Sequence, residues 1–337
     1  MKLGKIFLFF LAILIGLIIV VWLFLKIGFD NIINALVIFS WQKFFLVTLI
    51  SALIVFIQIK KWKIITRPYN YKASWKKILM AFLGAQAITI VTPIMYVGGE
   101  GAKALLLKED GGKKSFFQTL GLIVIDRLAE GFALLTFFLL GGFLVVFYKY
   151  FTLGLIIIFV SLIVFILIFL GIKAPSFFVF LIKFSGFKKF IKSDEETRGE
   201  VNIIKSFISQ HRRQFFINIF FSFLVLVLST LQIYLILFFL GKSIPIYDVY
   251  FIRLVTFFGS LFPTPGSVGG FEGSVVFVFS LLKIPLYFGM AMILIVRAIQ
   301  FLIVATGLVL VFPYLTSVVL PSLFKSNNNN EKTILHK

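Results

Sequence analysis

Residues 215–240 read FFINIFFSFLVLVLSTLQIYLILFFL, twenty-six positions without one charged side chain. About 20 apolar residues rising ~1.5 Å each cross a hydrocarbon core ~30 Å thick, so this stretch is long enough to span a bilayer as a helix. A helix also satisfies its own backbone polar groups, which lipid cannot do. Runs of the same kind occupy 6–25 and 153–172, and 286–312 is interrupted only by Arg297. The whole chain is 61% hydrophobic and 14% charged, with a mean hydropathy of +1.09. Soluble domains carry about 25% charged residues. This reads as an all-α polytopic membrane protein.

The formal net charge is +20. In a soluble chain that would suggest nucleic acid. Here the basic residues flank apolar runs, so they set topology and meet anionic lipid, and no nucleic-acid partner is expected. There are no cysteines, which excludes disulfides and thiol chemistry. The two histidines, His211 and His336, have no companion at ligand spacing. No P-loop or Ser-His-Asp pattern is present. Neither enzyme activity, cofactor nor metal is expected. Residues 1–25 are too long and lack a small-residue cleavage site for a secretion signal, so they read as an uncleaved first span.

Lysine and arginine orient the spans. The segments 60–77 and 173–213 are strongly basic and are expected in the cytoplasm, whereas 26–43, 148–152 and 241–248 are poor in charge and are expected outside. On this basis 6–25 exits, 44–59 returns, 78–97 dips in, breaks and comes back through 100–107, and 118–147 exits. Then 153–172 returns, 215–240 exits, 249–283 forms a second broken segment, and 286–312 returns. The expectation is about six full spans plus two re-entrant broken helices. Val201, Ile204, Phe207 and Ile208 suggest a short amphipathic piece at the surface of the basic loop. Residues 1–320 form one transmembrane domain, and 321–337 form a disordered, Asn-rich cytoplasmic tail.

The two broken segments share a pattern. Thr92-Pro93 leads to Val97-Gly98-Gly99-Glu100-Gly101, and Thr264-Pro265 leads to Val268-Gly269-Gly270-Phe271-Glu272-Gly273. Downstream, Arg127 and Glu130 follow the first, and Arg297 and Gln300 follow the second. Two motifs in the same order point to an internal repeat, about 44–147 and 215–312. With the first hairpin entering from inside and the second from outside, the repeat has inverted topology, the arrangement that places a transporter's site near the midplane.

The candidate substrate-binding residues are therefore Gly98, Gly99, Glu100, Asp126, Arg127, Glu130, Gly269, Gly270, Glu272, Arg297 and Gln300. Half-helices beginning at paired glycines aim free N–H groups and a positive dipole end at an anion, unless the glycines serve only tight turns. Glu100 and Glu272 sit where a carboxylate caps a helix, yet an acid at membrane depth is functional by default. Arg127 and Arg297, each about ten residues into a helix, lie roughly 15 Å deep. They suit phosphate recognition by the guanidinium fork, or structural pairing with Glu100, Glu130 and Glu272. Lys103 and Arg253 are expected to snorkel toward the interfaces.

These motifs resemble the flippase-like family that includes the transmembrane flippase domain of bacterial lysylphosphatidylglycerol synthases. The resemblance rests on Pro93, Gly98, Gly99 and Glu100, on Asp126-Arg127, and on Pro263, Pro265, Gly266, Gly269 and Glu272. The family usually has Glu-Arg where this chain has Asp126-Arg127. The resemblance implies movement of a charged or glycosylated lipid, or a lipid-linked intermediate, across the plasma membrane. The chain ends shortly after its last span, so no aminoacyl transfer is carried over. Two other readings stay open: an ion-coupled carrier for a small anion, and a non-transporting scaffold for a lipid-modifying or glycosyl-transferring enzyme at the cytoplasmic face.

The topology has a direct test. In this cysteine-free chain, Lys205→Cys should react with an impermeant thiol reagent only after cells are opened, and Lys242→Cys should react in intact cells. Labelling of position 205 from outside would overturn the orientation.

Overall fold

The computed structural model describes residues 28–69, 73–91, 97–107, 116–148, 206–262 and 264–314, with scattered positions at 14–25 and 151–166. Among these residues every regular element is helical. All but those scattered positions of the expected spans 6–25 and 153–172, most of the 173–213 loop, the tail 321–337, and the prolines Pro93 and Pro263 lie outside the described residues.

The apolar run quoted above becomes helix α6, Arg212–Phe239. Before it come α1 (Phe29–Val37), α2 (Trp41–Thr66), α3 (Trp75–Val91), α4 (Val97–Leu107) and α5 (Phe116–Tyr148). After it come α7 (Ile246–Ser260), a 3-10 turn (Pro265–Ser267), α8 (Gly270–Leu281) and α9 (Leu286–Tyr314). Three of the described helical stretches, Trp41–Tyr69, Arg212–Phe239 and Leu286–Pro313, are long and apolar enough to cross a membrane. Their outer faces are apolar. On α2 the exposed stripe runs Trp41, Phe45, Leu49, Leu53 and Phe56, close to one residue per turn. Such a surface is stable only against lipid.

Both broken segments are helix pairs. Helix α3 stops at Val91 and α4 starts at Val97, and the two pack along each other, as α7 and α8 do. The helix starts differ from the sequence expectation. Gly98 and Gly99 fall inside the first turn of α4, and only Gly269, with φ +86°, stands ahead of its helix. Glycine serves close crossing here. A Cβ on Gly99 would strike Thr89 and the Ala85 carbonyl of α3, and one on Gly270 would strike Phe262 and the Gly259 carbonyl of α7.

The long-range packing is reciprocal. Helix α3 of the first pair lies on α9, and α7 of the second lies on α5, while α2 lies on α6. Buried apolar residues form two main clusters. One joins Val47 of α2, residues 233–240 at the end of α6, and α7, α8 and α9. The other joins Ile59–Ile65 of α2, Phe215 at the start of α6, and α3, α4 and α5. The middles of α2 and α6 thus run between two separate cores. Phe207, expected at the membrane surface, is instead fully buried in the second cluster, its ring stacked on Tyr69.

Helix α2 also runs past the expected end at residue 59, so Lys60, Lys61 and Lys63 are helical rather than in a loop. Lys60 lies over the Phe56 ring at 4.8 Å and Lys63 over the Trp75 ring at 4.0 Å, which shelters both stems. At the other end, the Lys43 ammonium donates to the Ile38 carbonyl at 2.8 Å and the Phe239 carbonyl at 3.0 Å, tying off the last turns of α1 and α6.

The glycine crossings set a stability prediction. Gly307→Ala would place a Cβ against the Leu83 carbonyl, whereas Gly131→Ala and Gly273→Ala meet nothing within 4 Å. Overpacking of this kind costs about 1–3 kcal/mol. Gly307→Ala should therefore melt earlier in detergent, and the other two should match or exceed the parent.

Candidate functional site

The helix order places acids and bases of three helices together. Asp126, Arg127 and Glu130 lie within one turn of α5, so all three reach the same region. Glu100 and Lys103 come from α4 and Lys61 from α2. The Arg127 guanidinium bonds Glu100 through one terminal nitrogen and Glu130 through the other. The Lys61 ammonium donates to Glu130 at 2.8 Å and sits 3.3 Å from Asp126. Lys103 lies 3.6 Å from the second Asp126 oxygen and 4.0 Å from the second Glu100 oxygen. Asn218 of α6 donates to Asp126 at 3.3 Å. Three cations thus face three carboxylates. Isolated charges could not stay in such an apolar body, and paired ones can.

A second, tighter ion pair joins α8 and α9. Glu272 accepts from the Gly269 N–H at 2.8 Å, folding its carboxylate back over the start of α8, where a negative charge is favoured. Its other oxygen receives Arg297 twice, from Nε at 2.9 Å and from a terminal nitrogen at 2.6 Å, two charge-assisted bonds converging on one atom. The remaining terminal nitrogen of Arg297 donates to the Gly266 carbonyl and to Gln300, each at 2.8 Å. Arg297 is 17% exposed, Arg127 37%. So one arginine is enclosed by its own half and the other opens onto free space.

That space is a cavity of about 590 Å³ between the two cores. Lys61, Lys103, Arg127 and Arg253 border it as bases, and Glu100 and Glu130 as acids. A second cavity of about 330 Å³ adjoins it, sharing Ser51, Gln86, Thr89, Gln232, Ser260 and Gln300. The second mixes hydroxyls and amides with Ile90, Phe271, Val296, Ile299 and Ile303, and its charged member, Arg297, is already spoken for by Glu272. One end of the combined space is therefore positively biased and the other is neutral and hydrogen-bonding.

The expected site residues fall into two groups. Glu100, Asp126, Arg127 and Glu130 meet at the first cavity, with Gly98 and Gly99 in the helix turn that carries Glu100. Glu272, Arg297 and Gln300 meet at the second, with Gly269 and Gly270 at the start of α8. Two expectations change. Lys103 does not snorkel: its side chain is 2% exposed, held over the Phe82 and Trp62 rings at 3.9 and 4.6 Å. Arg253 borders the first cavity rather than reaching for an interface. Sequence reading missed Lys61 and Asn218. Lys61 was masked by the basic residues around it. A lone lysine on the apolar turn Ala102–Leu107 was the available signal for Lys103.

The chain belongs to the family described as the lysylphosphatidylglycerol synthase transmembrane region, whose profile matches residues 9–307. It is similar to a UPF0104 membrane protein of Methanocaldococcus jannaschii, 26% identical over 294 residues that cover 82% of this chain and 86% of that protein. No solved structure matches.

The two arginines should behave differently when removed. Arg297→Gln strands Glu272, which is almost wholly buried, and should cost about 3–5 kcal/mol. The double change Arg297→Gln/Glu272→Gln removes both charges and should recover most of the lost melting temperature in detergent.

Proposed function

We propose that this member of the lysylphosphatidylglycerol synthase transmembrane family is a flippase-like carrier with no chemistry of its own, moving a lipid with an anionic or glycosylated head group across the plasma membrane. The observation that carries the reading is the cavity between the cores. It is bordered by four bases and two acids, inside a body whose outer surface is apolar. Asp126 stands behind Lys61 and Lys103, so three bases balance three acids and Arg253 adds a fourth base; a net positive charge held away from bulk water favours an anion such as a phosphate, and a guanidinium fork can hold one bidentately. The hydroxyls and amides of the adjoining space suit a glycerol or sugar portion. The volume of about 590 Å³ is in the usual range for ligand sites, about 300–1,000 Å³. The acyl or prenyl tails would remain in the bilayer.

The internal repeat supports the same reading. Each half supplies a helix pair, a following long helix and an arginine–glutamate bond between them. Reciprocal packing of α3 on α9 and of α7 on α5 is what two-fold related halves would make. With the topology expected from charge, the halves are inverted, both termini are cytoplasmic, and the two broken segments meet near the midplane. A purely scaffolding protein has no use for a polar cavity of this size. The neutralised Arg297 reads as the fixed half of the site and the exposed Arg127 as the binding half.

Purified protein in vesicles should move labelled anionic lipid between leaflets faster than empty vesicles do. Arg127→Gln should lower that rate about tenfold or more while the melting temperature falls little, and Arg127→Lys should restore it in part, since charge is kept and the fork is lost. Unchanged transport in Arg127→Gln would overturn the assignment.

A further inference from the structure

Each of the two carboxylates on Arg127 has a second cation close by. Glu130 already receives Lys61 at 2.8 Å. Glu100 uses one oxygen on Arg127, and its other oxygen is buried, has no hydrogen-bond partner among the described residues, and faces Lys103 at 4.0 Å. Lys103 is in the matching condition: a buried ammonium with no hydrogen bond, between two aromatic rings and two carboxylates just beyond bonding distance. Leaving a buried donor and a buried acceptor unsatisfied beside each other is costly. A shift of about 1 Å would join them. Glu100 and Lys103 stand three residues apart on α4, so a side-chain rotation is enough and no helix need move. Glu272 has no such alternative, since its only charged partner among the described residues is Arg297.

We propose that Lys103 is a positioning residue that takes Glu100 from Arg127 when an anionic phosphate enters the cavity. In the empty site Glu100 and Glu130 hold the guanidinium. When a phosphate arrives, Glu130 keeps Lys61 and the first terminal nitrogen of Arg127 while Glu100 swings to Lys103, so the second terminal nitrogen is freed for the anion and no carboxylate is stranded beside it. No proton is taken up or released. The groups that face Lys103 are Glu100 on its own helix and Asp126, Arg127 and Glu130 on α5, with Trp62 of α2 and Phe82 of α3 as its walls. Asp126 remains shared between Lys61 and Lys103, which keeps the ammonium in place throughout.

The inference rests on Arg127 as the anion site and is tested by binding. Full-length protein in detergent is titrated with phosphatidylglycerol, phosphatidylcholine and soluble glycerol phosphate, with melting temperature read in parallel. The two phosphate sources separate a lipid site from a free-anion site. Arg127→Gln should lose anion binding. Glu100→Gln should tighten it about tenfold, because the competitor for the fork is gone. Lys103→Gln should weaken it about tenfold, and Lys103→Arg should restore it. The double change Glu100→Gln/Lys103→Gln should bind as tightly as Glu100→Gln alone, a coupling between neighbours that a double-mutant cycle isolates. If Glu100→Gln fails to tighten binding, or if the double variant stays as weak as Lys103→Gln, the hand-over is wrong although Arg127 still binds. If Arg127→Gln binds as well as the parent, the site itself is misplaced and both readings fall. Should Lys103→Gln not fold, Glu100→Gln alone decides, since it leaves the lysine intact. Binding that varies with pH between 6 and 8 in the parent but not in Glu100→Gln would replace the hand-over with protonation of Glu100.

Discussion

The structure depends on one constraint: a charge inside an apolar body must find its opposite. In each half that requirement is met by an arginine of a long helix bonding a glutamate of the preceding short one, Arg127 with Glu100 and Arg297 with Glu272. These bonds fix each helix pair to the long helix that follows. The apolar contacts are plentiful but non-directional, and could be satisfied by sliding one helix past another. The ion pairs cannot, because a shifted register would leave a carboxylate with nothing to meet.

The halves answer the constraint in different ways. The second half closes it: a single acid, a single base, a backbone carbonyl and a glutamine complete one enclosed knot. The first half leaves it distributed, with three acids and three bases from three helices and several distances a little too long for a bond. Glu130 and Gln300 each stand three residues after the arginine they bond, the acid where Lys61 also approaches and the amide where the arginine alone does among the described residues. A closed knot suits holding. A distributed one has more than one arrangement of nearly equal merit.

Much of this was legible in the sequence, because hydropathy and glycine–proline punctuation are local. The long helices at 118–147, 215–240 and 286–312 were found within a few residues, as α5, α6 and α9. The breaks before Glu100 and Glu272 were found from Pro93, Pro265 and the paired glycines. The glycines were read as aiming a helix end at a ligand or as serving only tight turns, and Gly99 and Gly270 also let two helices touch along their backbones. Nothing local distinguishes those uses, since both need the same missing Cβ. Lys61 and Lys103 were misread for a related reason. A lysine near the end of an apolar run is ordinarily a membrane-surface residue. Only the partner's position, 69 residues away for Lys61 and Glu130, makes it an interior one.

That separation along the chain also orders events in time. Ribosomal synthesis delivers α2 well before α5, so Lys61 is made while Asp126 and Glu130 do not yet exist. A bare ammonium enters hydrocarbon reluctantly, and its long stem lets it wait at the lipid head groups. Until α5 arrives with its two acids, the Lys61 ammonium has neither of its carboxylate partners. Arg297 faces no such delay: Glu272 precedes it by 25 residues and is already in place when it emerges. The Lys61 contacts wait for chain made later, and the Arg297 contact does not.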